Sequence, residues 1–189
     1  MDKKFSIQEM LETIFKENHS LVKHISEKDA EDFIQRIQSA ESIFFCAQGR
    51  SGFILRCFCM RLMHLGYRVY FCGETVTPAI THKDLLIVVS GSGETPWTLE
   101  AVRRGQAHAA ETYGILGNID SQIAGLVDHS LHIPGTTKLC RGDEPESSQM
   151  AGSLFEQSAF LFLETVASMM YQARKHDIGS VSSRHAVLE

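Results

Sequence analysis

Ser90, Ser92 and Thr95 place three hydroxyls within six positions of the stretch "VVSGSGETPWTLE", Val88 to Glu100. Gly91 and Gly93 lie between them and let backbone N–H groups come close to a ligand. The stretch joins an apolar run to a helical pattern. The first residues of that helix, near Thr95 and Pro96, present unpaired N–H donors and the positive end of the helix dipole. Pro96 suits an early helical position, where its missing donor is not needed. A phosphate monoester is the ligand best matched to such a group. Two blander roles fit the same residues: Thr95 as a plain N-cap, and the Gly-Ser run as a simple strand-to-helix turn. "GSGETPWT" lacks the lysine and spacing of a triphosphate loop, and no GxGxxG follows the first strand, which disfavours a dinucleotide.

A second small-residue turn, "AQGRSG", strengthens the phosphate expectation. It offers Ser51 at the opening of a helix, and Arg50, which is long enough to reach a ligand oxygen or carbonyl. If the two turns stand side by side at the carboxyl edge of a sheet, four hydroxyls converge. Arg50 alone would fit a surface salt bridge equally well.

The elements that must position these turns are legible from periodicity. "IQEMLETIFKENHSLVKHI" spaces its apolar residues at helical intervals, and Ser26 with Asp29 forms a variant capping box for a second helix burying Phe33, Ile34 and Ile37. "SIFFCA", "RVYFCG", "DLLIVVS", "TYGILGN" and "HSLHIPG" then read as five strands. Between them lie "FILRCFCMRLMHLG", stopped by Gly66, "TLEAVRRGQAHAA", and "SQIAGLVD", expected as a short helix. Alternating strands and helices imply a parallel α/β sheet with right-handed crossovers. The predicted organisation is one domain. It comprises N-terminal helices over 1–40, a parallel core over 41–135, an active-site loop over 136–152, an apolar C-terminal helix over 153–176 and a polar tail over 177–189. The last helix is apolar enough to imply a subunit interface. By periodicity alone the tail would be frayed.

Composition bounds the function classes. The chain has 189 residues, 43% of them apolar and 22% charged, enough for one globular core. A net charge of −5 without a basic block gives no footprint for nucleic acid or a membrane surface. No apolar run approaches a bilayer span or a signal core, so a soluble cytoplasmic protein is expected. Five cysteines, Cys46, Cys57, Cys59, Cys72 and Cys140, contain no CxxC pair, and four have apolar surroundings. Reduced core thiols are expected rather than disulfides or a zinc site.

The chain resembles the sugar isomerase (SIS) domains and, within them, the 6-phospho-3-hexuloisomerases. The resemblance rests on "GRSG", "MRLMHLG", "GETVTPAI", "DLLIVVSGSGET", "GSLFEQS" and "RHAVLE", spread over nearly the whole chain. "SGSGET" marks only the broad group; the other motifs narrow it. The resemblance implies a flavodoxin-like five-stranded parallel sheet, assembly as a homodimer or homotetramer, and a phosphate held by Ser51, Ser90, Ser92 and Thr95. It implies interconversion of D-arabino-hex-3-ulose 6-phosphate and D-fructose 6-phosphate without a cofactor or metal. The pathway neighbour would be hexulose-phosphate synthase of the ribulose monophosphate pathway of formaldehyde fixation. Two departures, Ala47 where relatives usually have glycine and Met150–Ala151 where they tend to have proline and methionine, bear on substrate preference.

Moving a carbonyl to the adjacent carbon needs one base within reach of both carbons and a group to stabilise the enediolate. Glu156 in "GSLFEQS" stands in the first turns of an apolar helix, where desolvation makes a carboxylate a better base, and the resemblance places the catalytic glutamate there. An acidic residue favoured by the helix N-terminus is the simpler role. Of nine histidines, His64 fits a satisfied core position. His185, in a tail that matches the family closely, would either reach a neighbouring subunit's pocket to relay a hydroxyl proton or merely pack. Arg50 and Arg184 would polarise the carbonyl. Other SIS isomerases, acting on arabinose 5-phosphate or sedoheptulose 7-phosphate, would share the serines and threonine but not the "RLMHLG" and "GETVTP" context. A regulator that only binds sugar phosphate would need a DNA-binding domain for which forty N-terminal residues leave no room.

Overall fold

A computed structural model of the chain describes residues 6–135 and 145–173, with 179, 181, 183–185 and 187. Cys140 and the part of the expected active-site loop over 136–144 lie outside the described residues. Ten elements follow in the order α1 (Ile7–Val22), α2 (Glu27–Ser39), β1 (Ile43–Cys46), α3 (Gly49–His64), β2 (Val69–Phe71), β3 (Leu85–Ser90), α4 (Pro96–Ala107), β4 (Glu111–Leu116), β5 (His129–His132) and α5 (Ser153–Ala173). All strand pairs are parallel, in the order β2-β1-β3-β4-β5. This is the expected flavodoxin-like sheet.

The strand order fixes where a ligand can sit. From β1 the chain moves outward to β2, and from β3 it moves the other way to β4 and β5. The crevice of an open α/β sheet opens at that reversal, beyond the carboxyl ends of β1 and β3. The two small-residue turns leave the sheet there.

Period-two alternation sends the strand side chains to two cores. Ile43, Phe45, Leu85, Ile87 and Val89 face a layer containing α2, α3 and α5, while Phe44, Cys46, Leu86 and Val88 face α4. Both strands are buried along their whole length, which is why β1 and β3 read as unbroken apolar runs. Phe33 of α2, fully buried, packs with ring centroids 4.6 Å from Tyr113, 5.6 Å from Phe162 and 5.9 Å from Phe58. Truncating such a ring costs roughly 3–5 kcal/mol. The capping box of α2 is formed as expected: Asp29 N–H donates to Ser26 Oγ at 3.2 Å and Ser26 N–H to Asp29 Oδ2 at 3.0 Å.

Several expectations are corrected. "SQIAGLVD" is a series of turns rather than a helix. Two of its first N–H groups are claimed from outside: Gln122 donates to Glu94 Oε1 at 3.0 Å and Ile123 to the Gly93 carbonyl at 3.1 Å, while Ala124 bonds Ser121 Oγ within the segment at 3.3 Å. The segment is tied to the hydroxyl loop instead of coiling. Most of the apolar surface of α5 is spent inside its own chain, through Leu154, Phe155, Phe162, Leu163, Val166 and Met170. Only Phe160, Leu161 and Met169 remain exposed. Cys57 is exposed rather than apolar-surrounded. Part of the tail is docked rather than frayed: Val181 packs on the larger core and Arg184 donates to the His64 carbonyl at 3.4 Å, whereas Val187 is exposed.

Candidate active site

The hydroxyl loop begins on the last residue of β3. Ser90 is buried, and its Oγ accepts from the Gly93 N–H at 3.0 Å and lies 3.3 Å from Thr95 Oγ1. Glu94 N–H donates to Ser92 Oγ at 3.2 Å. Gly93 therefore serves the conformation of the loop, with its own N–H spent on Ser90. Its φ of +68° is the left-handed region, and a Cβ there would lie 1.9 Å from Ser121 Oγ. Thr95 occupies the N-cap position of α4, yet its hydroxyl makes no capping bond. That frees it to turn toward Ser90 and the crevice. Pro96 stands at the start of α4 as expected.

The first turn runs from the end of β1 into α3, which begins at Gly49, two residues before the start expected at Ser51. Gly49 has φ +60°, and the N-cap Gln48 makes no side-chain capping bond. Ser51 thus lies inside the first helical turn, half-buried, with Arg50 beside it and largely exposed.

Glu156 joins these turns from far along the chain. The residue is 8% exposed, on the first turn of α5. Its Oε2 accepts from Nε of Arg50, forming an ion pair between the start of α5 and the first turn. The adjacent Phe155 ties α5 to the hydroxyl loop: a Cβ on Gly91 would lie 3.1 Å from the Phe155 ring. Gly91 is therefore required less for a turn than for close contact with that ring. The structure thus gathers Arg50, Ser51 and Glu156 on one side of the crevice and Ser90, Ser92 and Thr95 on the other.

His185 is not brought to this group within its own chain. Its ring stacks on His64, centroids 4.0 Å apart, at the end of α3 opposite to Arg50. Sixteen helical residues separate those ends by roughly 22 Å. Arg184 is there too, with its guanidinium carbon 3.0 Å from where a Gly66 Cβ would be. His64 is buried as expected, but its Nδ1 has no hydrogen-bond partner among the described residues. Burial, then His185 and Arg61, hold its pKa below the usual histidine range.

Sequence reasoning missed the support for Glu156 that comes from α1. Glu17 accepts from Ser147 Oγ at 2.7 Å, Ser148 N–H at 3.0 Å, Ser148 Oγ at 2.9 Å and Gln149 Nε2 at 2.8 Å. Burial raises its pKa, but these donors outweigh that and bring it down to about 2. The next residue, Asn18, is buried and bonds Gln157 Oε1 at 2.7 Å and Ser158 Oγ at 2.9 Å. Two neighbours on α1 thus clamp both the segment entering α5 and its first turns. The one signal available was two polar residues interrupting the apolar periodicity of α1.

The SIS domain family matches residues 36–140. The 3-hexulose-6-phosphate isomerase of Bacillus subtilis (strain 168) is 32% identical over 181 residues, 96% of this chain and 98% of that protein. The 3-hexulose-6-phosphate isomerase of Mycobacterium gastri is 40% identical over 147 residues, 78% of this chain and 73% of that protein. Among solved structures, a hypothetical protein of Methanococcus jannaschii, whose 2.0 Å structure infers a molecular function of 3-hexulose-6-phosphate isomerase, superposes with a TM-score of 0.81. It is 30% identical over 96% of this chain and 99% of its own.

Proposed function

The chain belongs to the SIS domain family, within the group of the 3-hexulose-6-phosphate isomerases, and is an isomerase of phosphorylated sugars; on that premise we propose how it works and on what. The substrate pair is D-arabino-hex-3-ulose 6-phosphate and D-fructose 6-phosphate. The phosphate lies in the crevice between β1 and β3, accepting hydrogen bonds from Ser51, Ser90, Ser92 and Thr95. The observation that carries the reading is the buried carboxylate of Glu156 at the mouth of that crevice, paired with Arg50.

The two sugars differ only in whether C2 or C3 bears the carbonyl. Glu156 takes the proton from C2 of the 3-ulose, leaving a cis-enediolate across C2 and C3, and returns it to C3. Arg50 orients the carboxylate and, being mostly exposed, is free to stabilise the enediolate oxygen as charge develops there. The redox change is internal: C2 is oxidised as C3 is reduced, so the step needs no external electron carrier. The hydroxyl proton must move in parallel, from O2 to O3. His185 would relay it in a neighbouring subunit's crevice, because in its own chain it lies at the far end of α3.

That role requires a homodimer or homotetramer. The exposed Phe160, Leu161 and Met169 of α5, with Ile7, Leu11 and Phe15 of α1, are the apolar surface that supports one. The expected setting is the cytoplasm, beside a hexulose-phosphate synthase. Incubation with fructose 6-phosphate and that synthase, without added cofactor, tests the reading through release of ribulose 5-phosphate. Absence of release, with arabinose 5-phosphate or sedoheptulose 7-phosphate turned over instead, would assign the chain to a different phosphosugar.

A further inference from the structure

Cys46 and Cys72 are two thiols that the proposed mechanism does not use. Phe44 pairs with Tyr70 and Phe45 with Phe71 in the β1–β2 ladder, and Cys72 N–H donates to the Phe45 carbonyl at 2.8 Å. The ladder thus runs one residue past β2 and sets Cys46 beside Cys72. Both side chains point to the α4 face, as Phe44 and Tyr70 do two residues earlier with ring centroids 5.2 Å apart. Neighbouring strands lie about 4.7–4.9 Å apart, within the roughly 4.4–6.8 Å that a disulfide needs between Cα atoms.

The two thiols differ in the way a redox pair requires. Cys46 is fully buried, whereas Cys72 is half-buried and lines a cavity of about 280 Å³ with Pro78, Ile80 and Trp97. The hydrogen bond from Cys46 holds the Cys72 thiol below its usual range, while Cys72 and burial push Cys46 far above its own. Cys72 is therefore the thiol that ionises first and the one an oxidant reaches.

We propose that Cys46 and Cys72 form a reversible dithiol–disulfide site that distorts the phosphate cradle when it closes. With a peroxide as oxidant, the Cys72 thiolate attacks one oxygen, the O–O bond breaks, and the departing hydroxide is protonated to water. The Cys46 sulfur then attacks the Cys72 sulfenic sulfur. An S–S bond forms, and the leaving hydroxide takes the Cys46 proton as a second water. Two electrons pass from the sulfurs to the peroxide, and an external dithiol returns them. The consequence is local. Cys46 leads directly into Ala47–Ser51, and Trp97 and Thr98 of the first turn of α4 lie against it. Drawing the sulfurs to a bond length of about 2.05 Å pulls on both turns of the cradle.

The test oxidises the full chain with hydrogen peroxide, blocks remaining thiols with N-ethylmaleimide and maps unreduced peptides by mass. The expected result is a Cys46–Cys72 linked peptide in the wild type and in Cys57→Ser, abolished in Cys72→Ser and reversed by dithiothreitol. Amide hydrogen exchange over 47–51 should quicken several-fold in the linked protein. Alkylation of both thiols after Cys57 has been oxidised would overturn the site, and unchanged exchange in linked protein would overturn its coupling to the cradle. The effect on turnover rests on the proposed function: KM for the phosphosugar should rise roughly tenfold, the worth of one charge-assisted hydrogen bond. An unchanged KM beside altered exchange would count against the phosphate placement, not against the thiol pair.

Discussion

Arg50 and Glu156, 106 positions apart, meet as an ion pair at the carboxyl edge of the sheet. The arginine comes from the turn after β1 and the carboxylate from the first turn of α5. On the proposed mechanism their meeting marks the reacting side of the crevice, and it makes Arg50 a sensitive point. Arg50→Ala should leave KM within a few-fold of wild type while lowering kcat by about 10²–10³, the usual worth of a donor aimed at a developing oxyanion. Steady-state kinetics in both directions would check it.

The opposite side of the crevice should respond differently. Ser90→Ala, Ser92→Ala and Thr95→Ala each remove a hydroxyl that the proposed placement offers to the phosphate dianion, a bond worth about 1.5–3 kcal/mol. KM for fructose 6-phosphate should rise roughly 10- to 100-fold, with kcat less affected. Ser90→Ala should also cost some stability, because the Gly93 N–H loses its acceptor. A calorimetric titration beside a melting curve would separate the two effects.

Gly93 is a conformational requirement. An alanine there meets φ +68° and places its Cβ 2.4 Å from Ser121 Cβ, so rotating the serine hydroxyl gives no relief. Gly93→Ala should lower stability by at least about 1–3 kcal/mol and weaken phosphosugar binding with it. The denaturant midpoint of the variant reads this directly.

The Glu17 clamp has a pH signature. Its carboxyl is lowered from an ordinary 4.5 to about 2 by the folded state. Its stabilising contribution is therefore full above about pH 4.5 and is lost as pH falls toward 2. Urea midpoints of wild type and Glu17→Gln should differ at pH 6 and converge as the pH is lowered through that window. A gap that stayed constant would mean that the clamp does not depend on charge.

These predictions draw unequally on what the sequence makes visible. The five strands, the Ser26–Asp29 capping box and the hydroxyl loop are local patterns, and local patterns survive without neighbours. What escaped was set by distant partners. The 121–127 segment has helical spacing, but Glu94 and the Gly93 carbonyl take the N–H groups of Gln122 and Ile123. Apolar periodicity gives α5 a greasy surface without saying that α3 and α1 pack against much of it. The Glu17 clamp joins residues 130 or more positions apart, and a break in the apolar stripe of α1 does not say which residues it meets. Arg50 and Glu156 were each visible as candidates, whereas their pairing required the fold.

The central claim is that Glu156 alone carries hydrogen between adjacent carbons of a sugar held by its phosphate. Incubating wild type and Glu156→Gln with fructose 6-phosphate in deuterated water, and reading deuterium at C3 by NMR, tests it most directly. Wild type should exchange that position rapidly, while Glu156→Gln should bind the phosphosugar with similar affinity and exchange it about 10²–10⁴ times more slowly. Exchange at the wild-type rate in the variant would contradict the account.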